Sequence, residues 1–328
     1  MRVAVSEFEK SYAFELKPIT QLCGQNIARK TYILESICKY FSTYKYAEIR
    51  NRWRDNVTID GELVGRKFFS TLSIRGISDL LTIIKWSKQS LMLEYVKGLM
   101  QKFDWQMHLD VINDELEEMF QLLNKEMEVL GDIEINYSTS EVWDMIQKSN
   151  VTGKNETNLE DKDSGELIFI ALNLVEEVLK ATPKKMLVIF ENIDHILSVK
   201  EYQKMIDRMQ QISEKFDVYF LTTTSLDKYV VCQENLCSGI TVFNDLDFQF
   251  PELEELQNAI NDNYPCNKIF DQTQIAEMIE NIVQRIGKTT YLDSIEENVV
   301  CKIINKSMML NDRWQKNEIA PEIGFLKA

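Results

Sequence analysis

The chain has 328 residues, 45% of them apolar, with only 11 Gly and 5 Pro; this excludes a disordered or loop-rich protein and predicts two or three structural units rich in long helices. Its formal net charge of −15 is unevenly placed: residues 1–103 hold 17 Lys and Arg against 10 Asp and Glu, a net of +7, leaving 20 against 42, or −22, for residues 104–328. Two histidines, His108 and His195, are too few for a histidine-centred catalytic site, and six scattered cysteines do not form a disulfide framework. With no basic-then-apolar leader and no apolar run of about 18 residues, a cytoplasmic protein with reduced thiols and no membrane partner is expected. Cys232 and Cys237 read as core thiols rather than half of a zinc site, since no second cysteine pair accompanies them.

In chain order, short strands are expected at Met1 to Val5, Tyr12 to Leu16 and Ile19 to Cys23, the last running into Gly24 and then a helix from Thr31 to Phe41. The segments VTI, LVG and KFFSTLSI between Val57 and Ile74 suggest further strands. From Ile77 the spacing predicts almost unbroken helix to about Leu130 and again from Ser140. The polar stretch Ser149 to Gly165 interrupts it before a helix from Glu166 to Lys180, which Thr182-Pro183 ends. The apolar run from Lys185 to Phe190 has the composition of a central strand buried on both faces. A helix from Val199 to Lys215 and a strand from Phe216 to Thr224 complete a right-handed parallel crossover. Residues 251–313 read as helix, with Pro251 at a first helical position. The predicted fold is α/β: a discontinuous head at 1–76 and 183–250, a helical leg at 77–182 and a helical C-terminal extension at 251–328.

The strand-to-helix junction carries the first motif. A phosphate loop has the pattern G-x-x-x-x-G-K-[ST] because backbone N–H groups at a helix N-terminus must wrap an anion closely. Here the segment reads Gly24 to Thr31, with Gly24, Lys30 and Thr31 in place and Arg29 where the second glycine belongs. The Arg29 side chain demands room that glycine does not, and its guanidinium is expected to fill the anion site itself, so no nucleotide cofactor is predicted. The second motif of such enzymes, an apolar strand ending in Asp with a following Glu, reads Glu191-Asn192. Glu191 could hold a cation, but Asn192 has no carboxylate to accept a proton from water; the same two residues would equally serve to cap the next turn. Gly287-Lys288-Thr289-Thr290 follows a helical segment and reads as a helix C-terminal glycine.

A basic, aromatic lobe follows between Arg50 and Lys102. Arg50, Arg52, Arg54, Arg66, Lys67, Arg75, Lys85 and Lys88 are its candidate phosphate-backbone contacts. No zinc-finger, helix-turn-helix or RNA-recognition signature accompanies it, so any binding should be independent of sequence; the bland reading is a solvated face.

The stretch SYAFELKPITQLCGQNIARKTYILESICKYF resembles the P-loop-NTPase-like heads of the SMC and ABC type. Together with the altered loop, the helical leg, KKMLVIFENIDHIL and FDVYFLTTTS, the chain resembles the Csn-type accessory proteins of type II-A CRISPR spacer acquisition, in their long form. The resemblance implies a non-enzymatic homotetrameric ring that encloses double-stranded DNA and engages its ends. It also implies a need for calcium and partnership with the CRISPR integrase complex and the RNA-guided effector nuclease. Carboxylates suited to a hard cation include Asp110, Asp114 and Glu115, and above all Glu118, Asp132 and Glu134, although a solvated helix face accounts for most of them. The alternatives are a nucleotide-dependent ATPase of the same head type and a structural protein-interaction module.

Overall fold

The computed structural model describes residues 1–7, 10–42, 56–87, 90–100, 105–127, 129, 134–139, 141–288 and 294–310, and all structural statements concern these. The chain begins with β1 (Arg2–Glu7), β2 (Lys10–Glu15), β3 (Ile19–Cys23), α1 (Ile27–Phe41), β4 (Val57–Ile59) and β5 (Ser70–Ile74). Helices α2 (Ile77–Ile84), α3 (Leu91–Met100), α4 (Gln106–Met127), α5 (Val142–Lys148) and α6 (Ser164–Ala181) follow. It continues through β6 (Met186–Phe190), α7 (Val199–Ser213), β7 (Val218–Thr223), β8 (Ile240–Phe243) and β9 (Asp247–Gln249) to α8 (Leu253–Asn263), α9 (Gln272–Ile282) and α10 (Ile295–Ser307). Two compact units result: Met1–Asp79 with Lys184–Ala328, and Leu80–Pro183.

The first unit is a mixed α/β structure. Its large sheet has the order β5-β6-β7-β3-β8-β9, parallel throughout except for β9, which pairs antiparallel with β8; β2-β1-β4 form a small antiparallel sheet. Side chains alternate between sheet faces, so each strand feeds two cores. Leu22, Leu187, Ile189, Leu221 and Phe243 join Ile33, Leu34 and Ile37 of α1 and Val3, Val5 and Phe14 of the small sheet in one core. Cys23, Ile240 and Val242 join the buried faces of α8, α9 and α10 in the other. Local sequence fixes the helix starts. Asn26 caps α1 by accepting from the Arg29 N–H at 3.1 Å, and Ser198 with Glu201 and Asp271 with Gln274 form capping boxes at α7 and α9.

Several elements differ from the sequence reading. The helix expected from Ile77 to Leu130 is α2, α3 and α4; between α2 and α3 two serines break the run, the Ser87 hydroxyl donating to the Thr82 carbonyl at 3.2 Å and the Ser90 hydroxyl accepting from the Leu93 N–H at 3.0 Å as α3 starts. The LVG segment is not a strand, since Glu62 makes only an isolated bridge back to Ile59 beside the left-handed Asp60 and Gly61. Pro251 precedes the Glu252 N-cap of α8 and is not itself helical. Strands β8 and β9 were not anticipated.

In the second unit α3 packs on α6, where a side chain at Gly98 would press on Ala181 at 3.2 Å. Helix α6 buries Leu167, Ile168, Leu172 and Val175 and is capped by Asp163. Helix α4 behaves differently: Met107, Val111, Ile112, Met119, Leu122 and Leu123 are exposed. Among the described residues, no helix is long and apolar enough to cross a membrane.

Candidate functional site at the strand ends

Open parallel sheets bind ligands in the crevice beyond the carboxyl ends of their strands, where loop residues converge. In this chain the residues that directly follow five parallel strands are Gly24, Arg75, Glu191, Thr224 and Asn244. Each has an internal partner. The Gly24 N–H donates to Gln284 Oε1 at 2.6 Å, the Gln25 N–H to Asn244 Oδ1 at 2.7 Å and the Asn26 N–H to the Phe243 carbonyl at 3.1 Å. These are the backbone donors that a phosphate loop would direct at an anion. Gly24 adopts φ 95°, and a Cβ there would lie 2.3 Å from the Phe243 carbonyl oxygen, so the close approach of β8 already requires glycine.

Lys30 is 1% exposed and folds back into the loop, its Nζ donating to the Gly24 carbonyl at 2.6 Å, to the Ser225 hydroxyl at 2.8 Å and to the Thr224 carbonyl. Burial lowers its pKa from 10.5 to about 8, while Cys23 and Asp194 pull the other way. The neighbouring Cys23 thiol is pushed up to about 12, chiefly by burial. The Arg29 guanidinium does not fill the anion site. It is turned toward β9, pairs with Asp247 and sits 5.1 Å over the Tyr12 ring, because a carboxylate and an aromatic face outcompete an empty loop.

The place expected to hold a cation is likewise closed. The Thr31 hydroxyl donates to Glu191 Oε1 at 3.1 Å, and Arg75 Nε reaches Glu191 Oε2 at 3.2 Å, so a fixed guanidinium neutralises a carboxylate that is 7% exposed. Asn192 is left-handed at φ 52° and its N–H donates to the Thr223 hydroxyl at 2.8 Å; this backbone, which Asn tolerates well, gives the residue a conformational role.

Asn244, Gln284, Gln21 and Asp194 escaped the sequence reading. Gln21 holds the Val231 backbone through both amide atoms, at 2.8 and 2.9 Å, and takes the Tyr202 hydroxyl at 2.9 Å. Asp194 accepts from the Ser225 and Leu226 N–H groups at 2.6 and 3.0 Å, shaping the loop after β7. A polar residue inside the apolar strand ITQLC was the available signal for Gln21. Nothing local marked Gln284.

The basic lobe is only partly described. Arg50, Arg52, Arg54 and Lys88 lie outside the described residues, as does Asp132. Arg66 donates to the Tyr40 and Ser42 carbonyls at 3.1 and 2.9 Å, Lys85 pairs with Glu160, Arg75 is committed to Glu191, and Lys67 is exposed. Glu118 and Glu134 are exposed, and among the described residues no group of three or more His, Cys, Asp or Glu could hold a metal ion. Cys232 and Cys237 are buried thiols hydrogen-bonded to each other, which with burial raises the Cys232 pKa well above its ordinary value. Gly287 is left-handed at φ 80° just after α9 and its terminal turn, and Thr289 and Thr290 lie outside the described residues.

Fold and crevice together define a mixed α/β protein with an open, mainly parallel sheet, attached to a largely helical unit. The family model for CRISPR-associated protein Csn2, subfamily St, matches residues 6–317, and the chain belongs to that family. The crystal structure of Stu0660 of Streptococcus thermophilus is similar over 100% of this chain and 99% of that one, with a TM-score of 0.88 at 18% identity. An SMC head bound to the C-terminal winged-helix domain of ScpA aligns over 76% of this chain and 97% of its own, with a TM-score of 0.43 at 13% identity. The SMC head domain from Thermotoga maritima aligns over the same shares, with a TM-score of 0.33 at 11% identity. No curated protein matches by sequence.

Proposed function

We propose that this chain is a non-catalytic protein of CRISPR spacer acquisition that binds double-stranded DNA, especially its ends, without sequence preference. Its head would be a phosphate-loop head that has lost nucleotide. The observation that carries the reading is the closed crevice: in a CRISPR-associated family, the groups that would hold nucleotide and metal are already bonded to other groups of the chain. Positive charge is meanwhile gathered in residues 1–103, at +7, where it can meet a phosphate backbone, while the remaining −22 repels one.

The contacts proposed for DNA are Arg50, Arg52, Arg54, Lys67 and Lys88; Arg66, Arg75 and Lys85 contribute field, since their donors are already engaged. The exposed apolar side chains of α4 support assembly of several copies, and a homotetrameric ring is the form proposed. Four copies carry 4 × −15, or −60, so calcium belongs to this reading as an ion held between chains. The integrase complex and the RNA-guided nuclease are the partners proposed from the family context.

A gel shift of linear against covalently closed duplex, with and without calcium, tests the proposal. Linear DNA is expected to bind more tightly, at all sequences, with affinity falling steeply with salt. Equal retention of closed circles would refute end-dependent loading. Magnesium-dependent ATP hydrolysis that vanished in Lys30→Ala would instead identify a nucleotide-driven motor.

A further inference from the structure

The partners that close the loop come from a distant part of the chain, which suggests more than loss of an old site. Gln284 stands at the end of α9, in the turn Val283–Arg285, yet its Oε1 accepts from Gly24 while its Nε2 donates to the Thr224 hydroxyl at 3.3 Å and the Leu226 carbonyl at 3.2 Å. It thus ties the loop after β3 to the loop after β7. Asn244 accepts from Gln25 and donates to the Gln284 and Ile286 carbonyls at 3.1 and 2.6 Å, locking the end of β8 to the same turn. Asn305 of α10 then accepts from the Gly287 N–H at 2.8 Å, and Lys288 reaches the Gln25 amide oxygen at 2.8 Å. Gln284, Asn244 and Asn305 are each 1% exposed.

We propose that the turn after α9, together with the residue that follows β8, serves as a built-in replacement for the nucleotide. The side-chain oxygens of Gln284 and Asn244 occupy the positions at which anion oxygens would receive the Gly24 and Gln25 N–H groups. A neutral amide can serve these donors because Lys30, which in a phosphate loop would reach toward an anion, is turned inward onto carbonyl oxygens. A nucleotide bridges loops only while bound, whereas a covalently attached partner has a high effective concentration and bridges them permanently. The head is thereby held in one state, and residues 244–305 set that state where a diffusible ligand would otherwise do so. This inference is independent of DNA binding.

The test uses the full-length double variant Gln284→Met/Asn244→Ser, with inorganic pyrophosphate as probe. Methionine keeps the volume of glutamine without its oxygen, and serine shortens Asn244 beyond reach of Gln25. Hydrogen exchange over residues 24–29 is expected to accelerate at least about tenfold, roughly the consequence of losing a buried backbone hydrogen bond, while β6 and α7 stay protected. Calorimetry is expected to detect pyrophosphate binding by the double variant and none by the parent, with the binding abolished on adding Lys30→Met. Unchanged exchange in the folded variant, absence of pyrophosphate binding, or equal binding by the parent would each overturn the proposal. If the double variant does not fold, Gln284→Met alone is judged on the same two measurements.

Discussion

The crevice at the strand ends and helix α4 spend their side chains in opposite ways. In the crevice, Gly24, Gln25, Asn26, Lys30, Thr31 and Glu191 all find partners within the chain. Along α4, Val111, Ile112, Leu122 and Leu123 remain in contact with water, leaving apolar surface unspent. On the proposed reading, this difference directs the search for recognition to the outer surfaces, to charge and to uncovered helix, with the sheet as a frame.

The largest expected effect tests whether recognition lies outside the crevice. Arg50→Glu/Arg52→Glu/Arg54→Glu should weaken retention of linear DNA by roughly tenfold or more at moderate salt, by replacing attraction to phosphates with repulsion. Equivalent reversals at the exposed Lys204, Lys215 and Lys302 should change it far less. Filter binding across a salt series measures both, and parent-like retention by the arginine variant would misplace the DNA surface.

The next test concerns α4. Val111 and Leu122 share a helix face, and Val111→Glu/Leu122→Glu should shift light scattering toward smaller species at micromolar protein, with circular dichroism unchanged. An unaltered assembly would detach that face from oligomer formation.

Lys30 provides a test inside the crevice. Its pKa is about 8 when folded against an ordinary 10.5, so the unfolded chain binds this proton more tightly. Between about pH 8 and 10.5 the parent should therefore gain stability relative to Lys30→Met, by about 3 kcal/mol across the whole window. Below pH 8 the difference should be flat. Taking the difference between two proteins removes the opposing effect of Cys23, whose raised pKa costs stability at high pH in both. Chemical denaturation at several pH values reads the slope, and a slope of the opposite sign would show that Lys30 is not held against its charge.

The smallest expected effect belongs to Arg75. Arg75→Ala leaves Glu191 buried without its cation and should cost about 1–2 kcal/mol, less than a fully buried pair because the Arg75 side chain is 50% exposed. Adding Glu191→Gln should recover part of the loss. A variant with unchanged stability but reduced DNA retention would move Arg75 from the crevice to the DNA surface.

The legible parts of this structure are those encoded by contiguous residues. Alternation in β1 and β2, the unbroken apolar run of β6, the strand character of β7 and the loop-to-helix signature at α1 all stand in the sequence. Strands β8 and β9 were missed because two short segments become strands only by pairing with β3 and with each other, Thr241 opposite Gln249. The serine break between α2 and α3 was legible in principle, but apolar periodicity masked it.

The sequence by itself determined which residues of the loop are abnormal, that a net positive charge is found in the first third while the remainder is net negative, and that Asn192 has no carboxylate to act as a base. Only the tertiary structure decided what those abnormalities do. Arg29 chose Asp247, 218 positions away, and Gly24 chose Gln284, 260 positions away, because a buried donor must find an acceptor wherever the fold brings one within reach. Such choices depend on packing across the sheet and between loops, which no local pattern of side chains contains.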